Sequence, residues 1–530
     1  MALPNLSLTG NQTEDVLKEA EWLSVEVSQE LNQHSWCKVL CRRSDNSQDE
    51  RLLADMLPGF PLKVTYTDQD GSQVEIFDGW IIDVEFTYEI SGSYSALITA
   101  VTQSYFMDLS PRCAYYKELD VVGVAKKLLE VDAMVDSDAK FSVTNTKTMD
   151  YVQWGETDWH FLSRLADDSE AWMRPQGAAI AICDAFQPGS KLQWRDEHGL
   201  ISFRTKGTIN PLQFDGAHYQ MGKMQSQIFE EVEDQPAFYD KSAAFAVDSV
   251  KSNSKILPSG YVNQRSRVST LEDFQNLLKK ESRRSLGGSV SAHGESMNPK
   301  LKPGDEVEIS GLPDSNGTYG LTKVVHRFTT TGYLNEFEST PWKKYTNPKP
   351  PVSNKWYGLV PARVVDNNDP DGLGRLKIQF FWQEDSQTRW ARMVTPYAGA
   401  DRGFMFLPEI GDEVVVGFGD GEVEKPVIMG SIWNGVDKPP REDFWGGDVG
   451  PNDVKRIVTK SGHRIQIVDK QGKESIVLAT PQNLKISLIE NADETGRSMV
   501  TLHSHNGDIF LSAPNGRIHF RSKFFSREVG

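Results

Sequence analysis

The stretch LPEIGDEVVVGF, residues 407–418, sets Pro408 and Gly411 in a turn and then launches a strand on which Val414, Val416 and Phe418 share one face. The plan recurs in LPGFPLKVTY at 57–66 and LKPGDEVEIS at 301–310. Each copy has a returning strand broken by a glycine: IFDGWIIDV from Ile76, GTYGLTKVV from Gly317 and VIMGSIWNG from Val427. A tight turn, an outgoing strand and a glycine that bends the return are what a small barrel needs to close its sheet. Three small β-barrels are therefore expected, unevenly spaced along the chain.

Around these units most of the sequence alternates with period two between Gly, Pro, Asn and Asp, so a mainly β fold is predicted. Three helices interrupt it. VVGVAKKLLEV (121–131) and DWHFLSRLADDSEAW (158–172) carry apolar residues at helical spacing. The third is predicted to start at Ser269 in a capping box with Glu272, to align Leu271, Phe274 and Leu278, and to stop at Gly287 and Gly288. The three prolines of TNPKPPVSNK (346–355) and the Pro/Gly-rich KPPREDFWGGDVGPND (438–453) read as spacers, with a softer break between 252 and 269. The expected organisation is a base with two barrel modules at 1–345, a Pro-rich linker at 346–355, a third barrel at 356–440, a Pro/Gly linker at 441–454 and a distinct segment at 455–530.

In that last segment IVTKSGHRIQIVDK, ESIVLAT, LKISLIE, MVTLHSH, DIFLSA and RIHFRSK read as short strands separated by turns. Only one face is apolar: Ile465, Ile467, Ile476, Leu478, Leu484, Ile486, Leu488, Val500, Leu502, Ile509, Leu511, Ile518 and Phe520. With no helix to cover it, such a face is buried most simply by copies of itself, and three meanders around an axis make a cyclic trimer.

Of 530 residues, 57 are basic and 74 acidic, a formal charge of -17, which argues against a dedicated nucleic-acid binder. The stretch from Met1 to Leu23 has neither the positive nor the apolar region of a secretory signal, so synthesis in the cytoplasm is expected. Cys37, Cys41, Cys113 and Cys183 are too sparse for a disulfide framework, and Cys37, Cys41 and His34 lack the second pair that a zinc site needs.

From Gly358 onward the motifs are dense and ordered. Val365 and the acidic turn Asp369-Pro370-Asp371 lead to Gly374-Arg375-Leu376-Lys377-Ile378 and Trp382; Trp390-Ala391-Arg392, Gly403, Pro408-Glu409-Ile410-Gly411-Asp412-Glu413-Val414 and Gly430-Ser431 follow. This run resembles the oligonucleotide/oligosaccharide-binding (OB) fold domain of VgrG spike proteins of type VI secretion and their relatives in phage tails and contractile injection systems. Gln153, Glu156, Asp158, Phe161 and Leu165 resemble that family's hub helix, and TKSGHRI (459–465) resembles the start of its triangular β-helix. The resemblance implies a tail-hub-like base, an OB-fold domain with landmarks Gly374, Trp382, Gly403, Gly411 and Gly430, and a C-terminal trimeric β-helix or β-prism. It implies a structural central spike, released in an injection particle, that punctures a membrane, seeds an inner tube and carries a PAAR-repeat tip protein. Baseplate proteins and inner-tube protein are the implied partners, with no cofactor, no metal and no nucleic acid. It also implies that neither the lysozyme domain of some phage spikes nor a C-terminal effector domain is present, a build most like extracellular injection systems or R-type tails, with an unadorned type VI spike as the alternative. Phe520, Phe524 and Phe525, beside a stalk with 12 basic and 7 acidic residues, are the expected docking point for the tip.

Other residue groups suggest chemistry less directly. Trp382, Trp390, Phe404 and Phe406 would suit base stacking, yet they lie in apolar alternation beside acidic residues and are read as packing. Glu156 with Asp158, and Glu422 with Glu424, have the form of acid–base pairs, which would make a spike that also cuts cell wall; they are read instead as solvated surface. A glycan-binding barrel adhesin is the other alternative. ESRRSLGGSVSAHGES (281–296) is expected to be a loop. His503 and His505 share a strand parity opposite to Leu502, so both are expected to point away from the apolar face rather than to bind a metal on an axis.

Overall fold

The computed structural model describes residues 5–9, 21–42, 58–67, 71–88, 90, 94–131, 140–144, 146–177, 179–196, 199–220, 225–229, 248–249, 252, 257–263, 270–344, 347, 349, 351, 355–383, 388–440, 452–491 and 496–523. It divides into two compact units, Met1–Ser431 and Ile432–Gly530.

All three turn–strand–return units form antiparallel pairs: Pro61–Thr67 with Gln73–Tyr88, Asp305–Ser310 with Gly317–Thr329, and Glu413–Phe418 with Pro426–Ser431. The first two modules are not separate barrels. Strand Glu21–Glu30 of the first pairs with Gly317–Thr329 of the second, so both belong to one twelve-stranded sheet. The 13 residues of Gly317–Thr329 extend roughly 43 Å, enough to serve two cores. Tyr319, Leu321 and Val324 pack with Leu192, Ala292, Val307 and Phe337, whereas Phe328 packs with Val25, Val39, Val64, Ile81 and Ile98.

A layer of helices and short strands lies between these elements in sequence. Val124 and Leu128 of helix Val121–Val131 meet Phe161, Leu162 and Leu165 of helix Asp158–Asp168, over Met173 and Ile182. The second helix stops short of the expected Trp172. Glu170 takes a positive φ of 56° and the Ala171 N–H donates to the Ala166 carbonyl at 2.8 Å, ending the turn so that Trp172 begins a buried strand. The third helix, Leu271–Gly287, is capped one position later than expected, by Thr270 with Asp273, each bonding the other's backbone N–H at 3.1 Å. Ser269 lies outside the described residues. Nor is 281–296 a loop: the helix runs to Gly287, and strand Val290–Ser296 follows with every second residue buried.

The third barrel orders its strands Lys377–Phe380, Val360–Asp366, Glu413–Phe418, Pro426–Ser431 and Arg392–Met393. Leu376 and Ala391 close the ring by exchanging N–H to carbonyl bonds of 2.9 and 2.7 Å. Register shifts at Val364/Asp366 and Val415/Val416 supply the bends.

In the second unit Val454–Val458, Arg464–Val468, Ser475–Ala479, Lys485–Ile489 and Met499–His503 form an antiparallel meander with no register shift. Residues 508–513 and 517–523, expected as strands, have none. A strand needs a partner edge to satisfy its backbone, and among the described residues these two stretches pair with none.

Candidate functional site

The hub-helix residues are structural from the inside. Gln153, Glu156, Asp158, Phe161 and Leu165 are all buried. The Thr157 hydroxyl caps the helix by accepting from the His160 N–H at 3.2 Å. Gln153 Nε2 donates to the Glu156 carbonyl (2.9 Å) and to Asp158 Oδ1 (2.7 Å), and Arg112 pairs with Asp158 at 2.6 Å. Arg164 pairs with Glu156 at 2.6 Å and with Glu424 at 3.2 Å. Burial opposes the Arg164 charge, but Glu424 and Glu156 outweigh it and hold the guanidinium above its ordinary pKa. The reading of these carboxylates as solvated surface is therefore corrected. Side chains of Glu156, Asp158, Glu422 and Glu424 are 6%, 7%, 11% and 11% exposed, and each faces a cation, Glu422 meeting Lys425 at 3.9 Å. Each of these carboxylates is thus held in an ion pair, so the two pairs are read as ion-pair girders between elements.

Strand Met149–Glu156 sends its other face into the third barrel. Val152 and Trp154 join Ala362, Val364, Ile378, Phe380, Val414, Val416 and Ile428 in one core. Trp382 stacks on Phe380 with ring centres 5.6 Å apart and planes 5° apart, and Trp154 meets Trp382 edge-on at 5.4 Å. Trp390 lies under the Lys377 ammonium at 4.8 Å. Phe404 and Phe406 depart from the packing expected of them: they are 52% and 58% exposed, in a stretch with no strand to bury them.

The landmark glycines mark the barrel's bends. Gly411 has φ 103° in the turn where Glu409 and Asp412 bond across. At Gly403 a Cβ would come within 2.5 Å of the Tyr397 carbonyl oxygen. Gly374 precedes Arg375, whose guanidinium binds the Asp369 carboxylate at 2.6 Å; this contact, with N–H groups of Asp371, Leu373 and Arg375, holds the carboxyl well below the usual range. Gly430 lies in the returning strand Pro426–Ser431.

In the second unit eight of the predicted stalk residues, with Ile457 added, form two straight ladders. Ile457, Ile465, Leu478, Ile486 and Leu502 stand opposite one another in turn, and Ile467, Ile476, Leu488 and Val500 form the second row. Ile465 to Leu502 on this face are 40% to 70% exposed. On the opposite face Gln466, Val468, Ser475, Val477, Ala479 and Ser487 are buried. Ile509, Leu511, Ile518 and Phe520 continue the exposed apolar series outside any strand. Phe524 and Phe525 lie outside the described residues. His503 sits on the parity opposite to Leu502; its ring lies 6.5 Å from that of His505, and both are exposed. Among the described residues no group of three or more His, Cys, Asp or Glu side chains is placed to hold a metal.

Sequence reasoning missed Trp154, Arg164 and the pairing of Asp150 with Arg389 at 2.7 Å. The available signal was their position: Trp154 sits between Gln153 and Glu156, residues already singled out.

Residues 29–332 match the profile of the phage tail baseplate hub (GPD) family, and residues 360–433 match that of the type VI secretion system/phage-baseplate injector OB domain. The chain is similar to the type VI secretion system spike protein VgrG5 of Pseudomonas aeruginosa, 23% identical over 70% of this chain and 53% of that protein. It is 26% identical, over 38% of its length and 20% of the relative's, to the actin cross-linking toxin VgrG1 of Vibrio cholerae. The chain thus spans about half the length, or less, of these curated relatives. Among solved structures, a chain of the Francisella PdpA–VgrG complex superposes with TM-score 0.58 at 9% identity, over 94% of this chain and 88% of that one. An E. coli component of the type VI secretion system, described as similar to T4 bacteriophage tail proteins gp27 and gp5, gives TM-score 0.53 at 16% identity, over 81% and 100%.

Proposed function

The chain belongs to the phage tail baseplate hub family, and from that premise we propose that it is the structural central spike of a contractile injection machine. The carrying observation is the pair of apolar ladders from Ile465 to Leu502, aligned, uninterrupted and open to solvent in one chain. Contiguous apolar surface of this kind needs a cover, and three copies around an axis bury it in a β-prism or β-helix stalk. In this reading the base up to about residue 345 is a ring platform. Its two modules in each of three chains present six similar units on which inner-tube and baseplate proteins assemble. The barrel at 356–440 links platform to stalk, and the stalk from 455 carries thrust to a target membrane. Its end, with Phe520, Phe524 and Phe525, takes a PAAR-repeat tip protein. The particle is assembled in a bacterial cytoplasm and then exported or released. The work is mechanical and not enzymatic, a reading supported by carboxylates that are already engaged by Arg112 and Arg164. Light scattering on a sizing column tests it: a species of three times the chain mass of 59.5 kDa is expected, and a monodisperse species of 59.5 kDa overturns the spike.

A further inference from the structure

The core of the third barrel takes in an indole from the chain's own base. Trp154, 9% exposed, has ring centres of Trp382 and Phe418 at 5.4 Å, Phe380 at 5.6 Å and Trp356 at 6.0 Å, each at a steep angle. Such edge-to-face packing is the favoured arrangement of aromatic clusters. The neighbour on the same strand, Gln153, points the other way and is tied to the cap of the hub helix through Glu156 and Asp158. Two ion pairs flank the ring. Arg164 of the hub helix reaches Glu424 of the barrel while also donating to the Val152 carbonyl at 3.1 Å, and Asp150 holds Arg389 of the barrel at 2.7 Å.

We propose that Trp154 is a seating key: inserted into the aromatic core of the third barrel, and aligned by Arg164–Glu424 and Asp150–Arg389, it makes base and barrel one rigid body. One consequence follows: a push on the base reaches the barrel through this contact. The seating is a property of the single chain; only its mechanical meaning rests on the spike reading above. The hub-helix motif thereby acquires a physical role, because Gln153 and Glu156 orient the strand and the arginine that present the key.

The test uses the full chain with Trp154→Ala, Trp154→Phe and Glu424→Arg, digested briefly with trypsin, which cuts after Lys344 and Lys355 when the barrel swings free. Trp154→Ala is expected to be cleaved there at least about tenfold faster than wild type, since proteolysis follows the population of the open form. Calorimetry is expected to show the barrel melting apart from the base, and Trp154→Phe to restore most of the resistance. Wild-type cleavage with a single transition in Trp154→Ala overturns the key. Should Trp154→Ala fail to fold, Glu424→Arg, which leaves the aromatic core intact and sets a second cation against Arg164, decides instead: faster cleavage supports the seating and an unchanged rate overturns it. The sizing column keeps the two ideas apart. A monomeric species with protected lysines sinks the spike but not the seating; unprotected lysines in a trimeric wild-type species do the reverse.

Discussion

The third barrel and the stalk meander are both five-stranded, with the same alternation of apolar and polar residues, yet they bury it differently. The barrel hides Ala362, Val364, Ile378, Val414, Val416 and Ile428 almost completely. The meander leaves Ile465, Ile476, Ile486 and Leu502 more than two-fifths exposed. The difference lies in register. Two bulges and the Leu376–Ala391 bond let the barrel sheet coil onto itself, whereas the meander pairs residue for residue from Val454 to His503. Alternation says that a face is apolar; bulges decide whether the chain can cover that face alone.

Charge on the two apolar faces gives the largest effects. Ile486→Asp should leave the monomer's melting nearly unchanged but abolish the trimeric species on the sizing column, since three carboxylates near one axis each cost several kcal/mol to desolvate. Val416→Asp should do the opposite, unfolding the barrel within each chain. If both variants lose assembly and stability together, the two sheets do not differ as described.

Acid sharpens the contrast at a smaller scale. Burial pulls His34 from 6.5 down to about 4, against the opposing pull of Asp108, and pulls His326 down to about 3. Both stay neutral in the folded base while the unfolded chain takes up protons. Their contribution is thus complete above pH 6.5 and is lost as pH falls, for His34 through the window from 6.5 to about 4. His34 alone should cost about 3 kcal/mol across that window. Urea midpoints of the base should therefore fall from pH 7 to 4.5, less steeply in His34→Gln; a flat wild-type profile contradicts this assignment.

The smallest effect is expected at Arg389, whose side chain is 63% exposed beside Asp150. Arg389→Ala should cost at most about 1 kcal/mol and loosen the barrel far less than Trp154→Ala. An equal loosening would make the ion pair, not the indole, the principal contact.

Much of the base was legible because its signals are local. The turn–strand–return units, the helix at 121–131 and the stop at Gly287 each follow from residues within a few positions. The misread parts depend on partners beyond that range. Asp158 read as surface because Arg112, which covers it, lies 46 positions upstream, and Glu156 because Arg164, eight residues on along the hub helix, folds back onto it. Phe404 and Phe406 read as core because alternation was taken to imply a sheet where none forms.

By itself the sequence determined the period of each segment, the turns between them and which side chains share a face, including the apolar face of the stalk strands. Only the tertiary structure decided what those faces meet: that Val25 lies opposite Phe328 and merges two modules into one sheet, and that Trp154 enters the third barrel. The reason is geometric. Backbone sterics aim a side chain relative to its own strand within two or three positions, but its neighbour across a sheet is set by closing a loop of hundreds, whose entropy cost rises so slowly with length that many partners remain open until the cores pack.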